Sequence, residues 1–177
     1  ALDNSFDGVN RGIVNQLGLI NAKVLIPKNN VLKQLVTYVP TESAEKLKLA
    51  LYEAGAGKIG NYDSCGFLLE GKGNFRPLEG ADPTIGKVGE LTEVNETRIE
   101  IIVPQHCEGG IMKALFANHP YEEVAYSLIN LVNNNQYIGL GMVGELESEM
   151  DEHSFISYVK EKMNTQVIRH SRLLDKP

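Results

Sequence analysis

Apolar residues along the chain switch between a two-residue and a helical spacing, and the switches mark out its elements. Val9, Ile13 and Leu17 fall at i, i+4 and i+8, which predicts a helix from Gly8 to Leu17 with Asp7 as its cap and Gly18 as its stop. Ala22 to Ile26 reads as a short strand, and Pro27-Lys28-Asn29-Asn30 as a linker. From Lys33 to Val39 the pattern alternates, with Leu35, Thr37 and Val39 opposed to Val36 and Tyr38, as in a strand. Pro40-Thr41-Glu42 then opens a helix whose Leu47, Ala50, Leu51 and Ala54 face a core, and Gly55-Ala56-Gly57 ends it. Ser64 to Glu70 is a second strand, and Gly71 to Leu91 a glycine- and turn-rich excursion with short strand pieces near Phe75 and Val88. Thr97 to Val103 alternates again. Glu108 to Asn118 predicts a helix with Ile111, Met112, Leu115 and Phe116 inward, its start weakened by Gly109 and Gly110. Glu123 to Val132 is a fourth strand. Asn133-Asn134-Asn135-Gln136 reads as a second linker. Beyond it come a Gly-rich strand from Tyr137 to Leu146 and a helix from Glu152 to Met163 capped by Asp151, with Phe155, Ile156, Val159 and Met163 inward. A strand from Thr165 to His170 follows.

The central order is therefore strand, helix, strand, strand, helix, strand. That is the ferredoxin-like split βαβ arrangement, an α+β fold with two helices on one face of an antiparallel sheet. Incomplete α/β segments flank it on both sides. The chain of 177 residues, 42% hydrophobic and 23% charged, has the composition of an ordinary globular protein. A net charge of −6 argues against a general nucleic-acid or anionic-membrane binder. Two cysteines, Cys65 and Cys107, make no disulfide framework, so the expected location is the cytoplasm. A first residue other than Met, and an end at Asp175-Lys176-Pro177 after a strand-like run, are expected of a piece of something larger.

Several stretches carry candidate chemistry. Asp3-Asn4-Ser5-Phe6-Asp7-Gly8 opens like a calcium loop, but Val14 stands where the twelfth-position carboxylate is required. Gly139-Leu140-Gly141-Met142-Val143-Gly144 fits a dinucleotide fingerprint, yet an acidic run follows instead of an apolar helix; a Gly-rich strand approached closely by other backbone is the better reading. Cys65, after Asn61-Tyr62-Asp63-Ser64, is a possible nucleophile that would need a base such as His119, against a structural cysteine at a strand start. His106, His153 and His170 lack ligand spacing. In Asn118-His119-Pro120-Tyr121-Glu122-Glu123-Val124-Ala125-Tyr126, a helix end explains His119 and Pro120 but not Tyr121, Glu122 and Glu123 in a row, which leaves an interface or ligand surface open.

Ala1-Leu2-Asp3, the run Gly57-Lys58-Ile59-Gly60-Asn61-Tyr62-Asp63-Ser64-Cys65-Gly66-Phe67, the run from His119 to Tyr126, and Gly141-Met142-Val143-Gly144-Glu145-Leu146 together resemble the Nif-three-like family, the GTP cyclohydrolase I type 2 homologs. The resemblance implies a metal-binding α/β core with a PII-like or CutA-like domain inserted between its halves. Residues 1–33 would be the N-terminal piece of that core, 34–134 the inserted domain, and 135–177 the start of the second half. It implies two divalent metal ions in the complete parent, with Asp3 as one ligand and the others outside this chain, and no metal in this piece. It further implies self-association, a hexamer with trimer-type contacts through the PII-like domain, and a small-molecule ligand. His119, Tyr121, Glu122, Glu123, Tyr126, Tyr62, Asp63 and Cys65 would then lie at an interface or ligand surface. The expected role is an assembly or ligand-sensing module, itself inactive. The alternative is a metal-dependent hydrolase acting on a nucleotide or other small molecule.

Overall fold

The computed structural model describes residues 2–174. Ala1 of the first matching stretch and the final Asp175-Lys176-Pro177 lie outside the described residues. The protein is a mixed α+β structure with antiparallel sheets. In chain order its elements are α1 (Val9–Gln16), β1 (Ile20–Lys28), β2 (Leu32–Pro40), α2 (Ala44–Glu53), β3 (Gly66–Phe75), β4 (Thr92–Pro104), α3 (Glu108–Asn118), β5 (Tyr126–Leu131), β6 (Asn135–Glu145) and α4 (Glu152–Lys162). They fall into two compact units, one of Ala1–Lys28 with Asn135–Pro177, the other of Asn29–Asn134. No helix among the described residues is long and apolar enough to cross a membrane.

In the unit of 29–134 the sheet order is β3-β4-β2-β5, every neighbour antiparallel. The period-two alternation decides which face meets the helices. Leu35, Val39, Ile99, Ile101 and Val103 point to one face and are almost fully buried against Leu47 and Leu51 of α2 and Ile111 and Leu115 of α3. Val36, Tyr38, Arg98, Glu100, Phe67 and Leu69 share the other face by register, and both helices lie on the opposite side. Gly55 (φ 101°) and Gly57 (φ 74°) end α2 in the left-handed region, and a Cβ at Gly57 would stand 2.8 Å from the Cys65 carbonyl oxygen.

The unit of 1–28 and 135–177 is built on one ladder, β1 against β6, with register shifts between Ile20 and Lys23 and between Pro27 and Lys28. The Gly-rich stretch 139–144 is part of β6, and a Cβ at Gly139 would lie 2.2 Å from the Ile26 carbonyl oxygen. Close backbone approach explains Gly139 and Gly144, and a φ of 65° explains Gly141. Gly18 (φ 62°) follows α1 as expected, and Asp151 caps α4 by accepting the His153 and Ser154 N–H groups. The Tyr158 hydroxyl donates to the Leu17 carbonyl oxygen at 2.9 Å and ties α4 to the end of α1.

Five local expectations are corrected. Gly8, not Asp7, is the N-cap of α1, because the Gly8 N–H bonds the Ser5 carbonyl in a turn that puts Asp7 one residue too early. The 76–91 connection holds no strand at Val88, which is exposed and unpaired in any ladder. Thr165 to His170 forms no strand either: no described strand pairs with it, and alternation without a partner cannot satisfy a strand's backbone. Phe116 faces outward, with its ring against Tyr126 rather than in the core. β5 begins at Tyr126, not Glu123, because the residues before it bend beneath the 76–91 connection.

Candidate functional site

α3 stops where His119 meets Pro120. The ring of a proline forbids helical backbone in the residue before it, and His119 turns to ψ 134°. That turn carries the imidazole beneath the sheet, where it is 8% exposed. Its Nε2 lies 2.9 Å from the Tyr38 carbonyl oxygen, and its Nδ1 accepts the Tyr121 N–H at 3.2 Å. A neutral ring with its proton on Nε2 satisfies both contacts; a second proton on Nδ1 would point at another N–H. Burial pushes the His119 pKa below its ordinary value, against the opposing pull of the Tyr38 carbonyl and the Glu96 charge. His119 is a neutral brace between α3 and β2, not a free base.

Tyr121 is positioned by that brace. Its hydroxyl donates to Glu96 Oε1 at 2.9 Å, and its ring packs edge-on against Phe75 with centroids 5.8 Å apart. Burial, then the bond to Glu96 and its charge, hold the phenol well above its ordinary pKa, so it serves as a neutral donor. Glu96 reaches across from β4 to β3, where Gly73 leaves room: a Cβ there would stand 1.9 Å from Glu96 Oε2. Tyr38, Phe75, Pro77, Leu78, Glu96 and Tyr121 line a cavity of about 450 Å³. Its outer wall is the 76–91 connection, fastened at two points. Both Glu122 carboxylate oxygens accept the Asp82 N–H at 3.0 and 3.2 Å, and Thr84 Oγ1 donates to the Pro120 carbonyl at 2.8 Å. Asn74, Arg76 and Glu123 complete the polar part of the lining.

The other candidate residues lie elsewhere. Tyr62, Asp63 and Cys65 belong to the loop before β3, where Ile59 and Tyr62 exchange backbone hydrogen bonds at 2.9 and 3.0 Å and Tyr62 is 76% exposed. Ser64 donates to Asp63 Oδ1 at 3.1 Å, and the half-buried Cys65 thiol approaches the Asp63 carbonyl at 3.5 Å. Gly66 pairs with Ile101 whereas Gly71 pairs with Glu96; five residues of strand put the two clusters roughly 17 Å apart at about 3.4 Å per residue. His119 therefore cannot activate Cys65. Tyr126 stacks on Phe116 on the helix-bearing face (centroids 5.6 Å) and does not line the cavity. Asp3 is exposed in a 3-10 turn, its carbonyl accepting from Asn10 at 2.6 Å. Among the described residues no group of three or more His, Cys, Asp or Glu is placed to hold a metal ion. One carboxylate does not make a metal site.

Tyr38, Phe75, Gly73 and Glu96 were not singled out from sequence. Only Gly73 left a trace: a glycine within the continuation of a strand marks a close approach by something else.

Comparison with known proteins settles the kinship. The sequence model of Duf34/NIF3 (NGG1p interacting factor 3) matches residues 1–177. The chain belongs to the Duf34/NIF3 family. A "GTP cyclohydrolase 1 type 2 homolog" of Bacillus subtilis is 43% identical over 169 residues, covering 95% of this chain and 45% of that protein. Its namesake from Halalkalibacterium halodurans is 40% identical over 169 residues, again 95% of this chain and 45% of that protein. A crystal structure of a Bacillus cereus protein related to NIF3 superposes with a TM-score of 0.80 at 40% identity, over 94% of this chain and 44% of that one. This Duf34/NIF3 chain thus spans about half the length of the relatives it matches.

Proposed function

We propose that this chain is the part of a Duf34/NIF3 protein that assembles copies and senses a small ligand, rather than the part that performs chemistry. In this reading the unit of 29–134 is a ferredoxin-like, PII- or CutA-like domain inserted into a metal-binding α/β core, and the other unit is an incomplete portion of that core. The strand order β3-β4-β2-β5 supports the first half, since it is the order a split βαβ unit requires. The observation that carries the assembly role is the sheet face turned away from both helices. Phe67, Leu69 and Ile129 lie there by register, 63%, 56% and 50% exposed. Phe67 and Leu69 stand two residues apart on the edge strand β3, and Ile129 stands on the opposite edge strand β5; apolar residues so exposed on a sheet face suit self-association, and trimer-type contacts leading to a hexamer would cover them.

Sedimentation velocity on the chain and on a Phe67→Glu, Leu69→Glu double variant tests this. The parent chain should sediment as an oligomer and the variant as a monomer with unchanged circular dichroism. An unchanged size in the folded variant would sink the assembly role of this face.

The shared name of the relatives favours a second reading for the complete protein, a hydrolase acting on a nucleotide or other small molecule; in that reading the reaction would depend on two divalent ions with Asp3 among their ligands. Metal content and hydrolysis would be measured on this chain and on one carrying the remaining length of its relatives. Tight binding of two metals by the short chain would overturn the division of labour proposed above.

A further inference from the structure

The cavity beside Tyr121 has a wall chemistry that selects among ligands. We propose that it binds a small organic cation, an amine or quaternary ammonium carrying an apolar body. This rests on the ligand-sensing half of the reading above and names the ligand class. Three aromatic rings, Tyr38, Phe75 and Tyr121, share the lining with Pro77 and Leu78. Three carboxylates, Glu96, Glu122 and Glu123, stand against one guanidinium, Arg76. Aromatic faces with an excess of carboxylate attract a desolvated cation through the ring quadrupole and through charge together. The same balance repels phosphate, so a nucleotide is disfavoured in this cavity.

Glu96 is the group built for the role. Its carboxylate is half-buried and held from one side by the Tyr121 hydroxyl, over a glycine that cannot crowd it. A carboxylate has about four acceptor positions and Tyr121 occupies one of them. Glu96 lines the cavity of about 450 Å³, within the range of small-molecule sites. Glu122, by contrast, is engaged by the Asp82 N–H and secures the wall. The Arg98 guanidinium already lies 5.9 Å over the Tyr38 ring, so Phe75 and Tyr121 carry the aromatic part of the site.

The test is a titration of the 177-residue chain with benzyltrimethylammonium, followed by amide shifts and calorimetry, with benzyl alcohol and GTP as neutral and anionic controls. Saturable shifts should centre on Gly73, Phe75 and Tyr121, and benzyl alcohol should bind about tenfold more weakly. Glu96→Gln keeps an acceptor for Tyr121 and should weaken the cation about tenfold while leaving benzyl alcohol unchanged. Phe75→Leu keeps the apolar wall without its π face and should weaken the cation about fivefold. Equal affinity for benzyl alcohol, shifts of the same amides by GTP, or the absence of saturable shifts at the cavity would each overturn the proposal. Sedimentation of the same samples separates the two readings: an oligomer that ignores the cation defeats this inference alone, and a monomer that binds it defeats only assembly.

Discussion

The two units of this chain are held together in different ways. Residues 29–134 enclose a core in which Leu35, Leu47, Leu51, Ile99, Ile111 and Leu115 are completely buried. The unit of 1–28 and 135–177 buries Val14, Leu17 and Val24, while Leu25, Ile26 and Leu140 remain 56%, 59% and 58% exposed. Its coherence comes from the β1–β6 ladder and from a few side-chain ties such as Tyr158 to Leu17. Within this chain, which spans about half the length of its relatives, the first unit buries the larger apolar core and the second is joined chiefly by backbone pairing. The same hydrophobic pattern in a sequence therefore does not guarantee the same source of stability.

Substitutions sharpen that contrast. Leu47→Ala should cost about 2–5 kcal/mol in urea unfolding, whereas Val24→Ala in the other unit should cost about 1–2 kcal/mol, nearer its transfer cost alone. Equal losses would mean the second unit has a core as well packed as the first. Glycine replacements should reverse the order. Gly139→Ala meets backbone, the Ile26 carbonyl oxygen, at 2.2 Å, and Gly73→Ala meets only the end of the Glu96 side chain. We expect about 3 kcal/mol for the former and about 1 kcal/mol for the latter; a mild Gly139→Ala would break the ladder-based account. His119 gives the first unit a pH dependence. Its folded pKa lies below the ordinary 6.5, so protonation favours the unfolded chain. The stabilisation is complete above about pH 6.5 and is lost as pH falls below it. The urea midpoint should drop from about pH 7.5 to about pH 5, and His119→Asn should remove that part of the slope. The smallest effect is a gain: nothing lies within 4 Å of a Cβ at Gly109 in α3, so Gly109→Ala should stabilise by about 0.5–1 kcal/mol.

Local chemistry made much of this legible in advance. Gly18, Gly55, Gly57 and Asp151 announced helix ends through backbone rules that need only near neighbours. The strands of the 29–134 unit were legible because one face is buried and alternation reports that. The candidate site was half legible. His119 and Tyr121 stood out by type, but Tyr38 lies 81 residues from His119, and Glu96 lies 25 from Tyr121. The β2–β4 register sets Tyr38 near Glu96, and the return of the chain after α3 along β2 brings His119 and Tyr121 to them; a single sequence states neither. The strand expected at Thr165 to His170 failed for the same reason, since pairing is a property of two segments. Phe116 failed because its partner, Tyr126, belongs to a strand that begins after the bend.

The His119 brace has one more consequence. The β5 ladder on β2 stops at Thr37↔Tyr126, yet β2 continues to Pro40. Over that overhang the imidazole takes the Tyr38 carbonyl and Pro40 offers no N–H. An uncapped overhang is a template on which a stray chain can add itself as a strand. The same side chain that holds the cavity's edge in place thus takes one acceptor away from any strand that would add there.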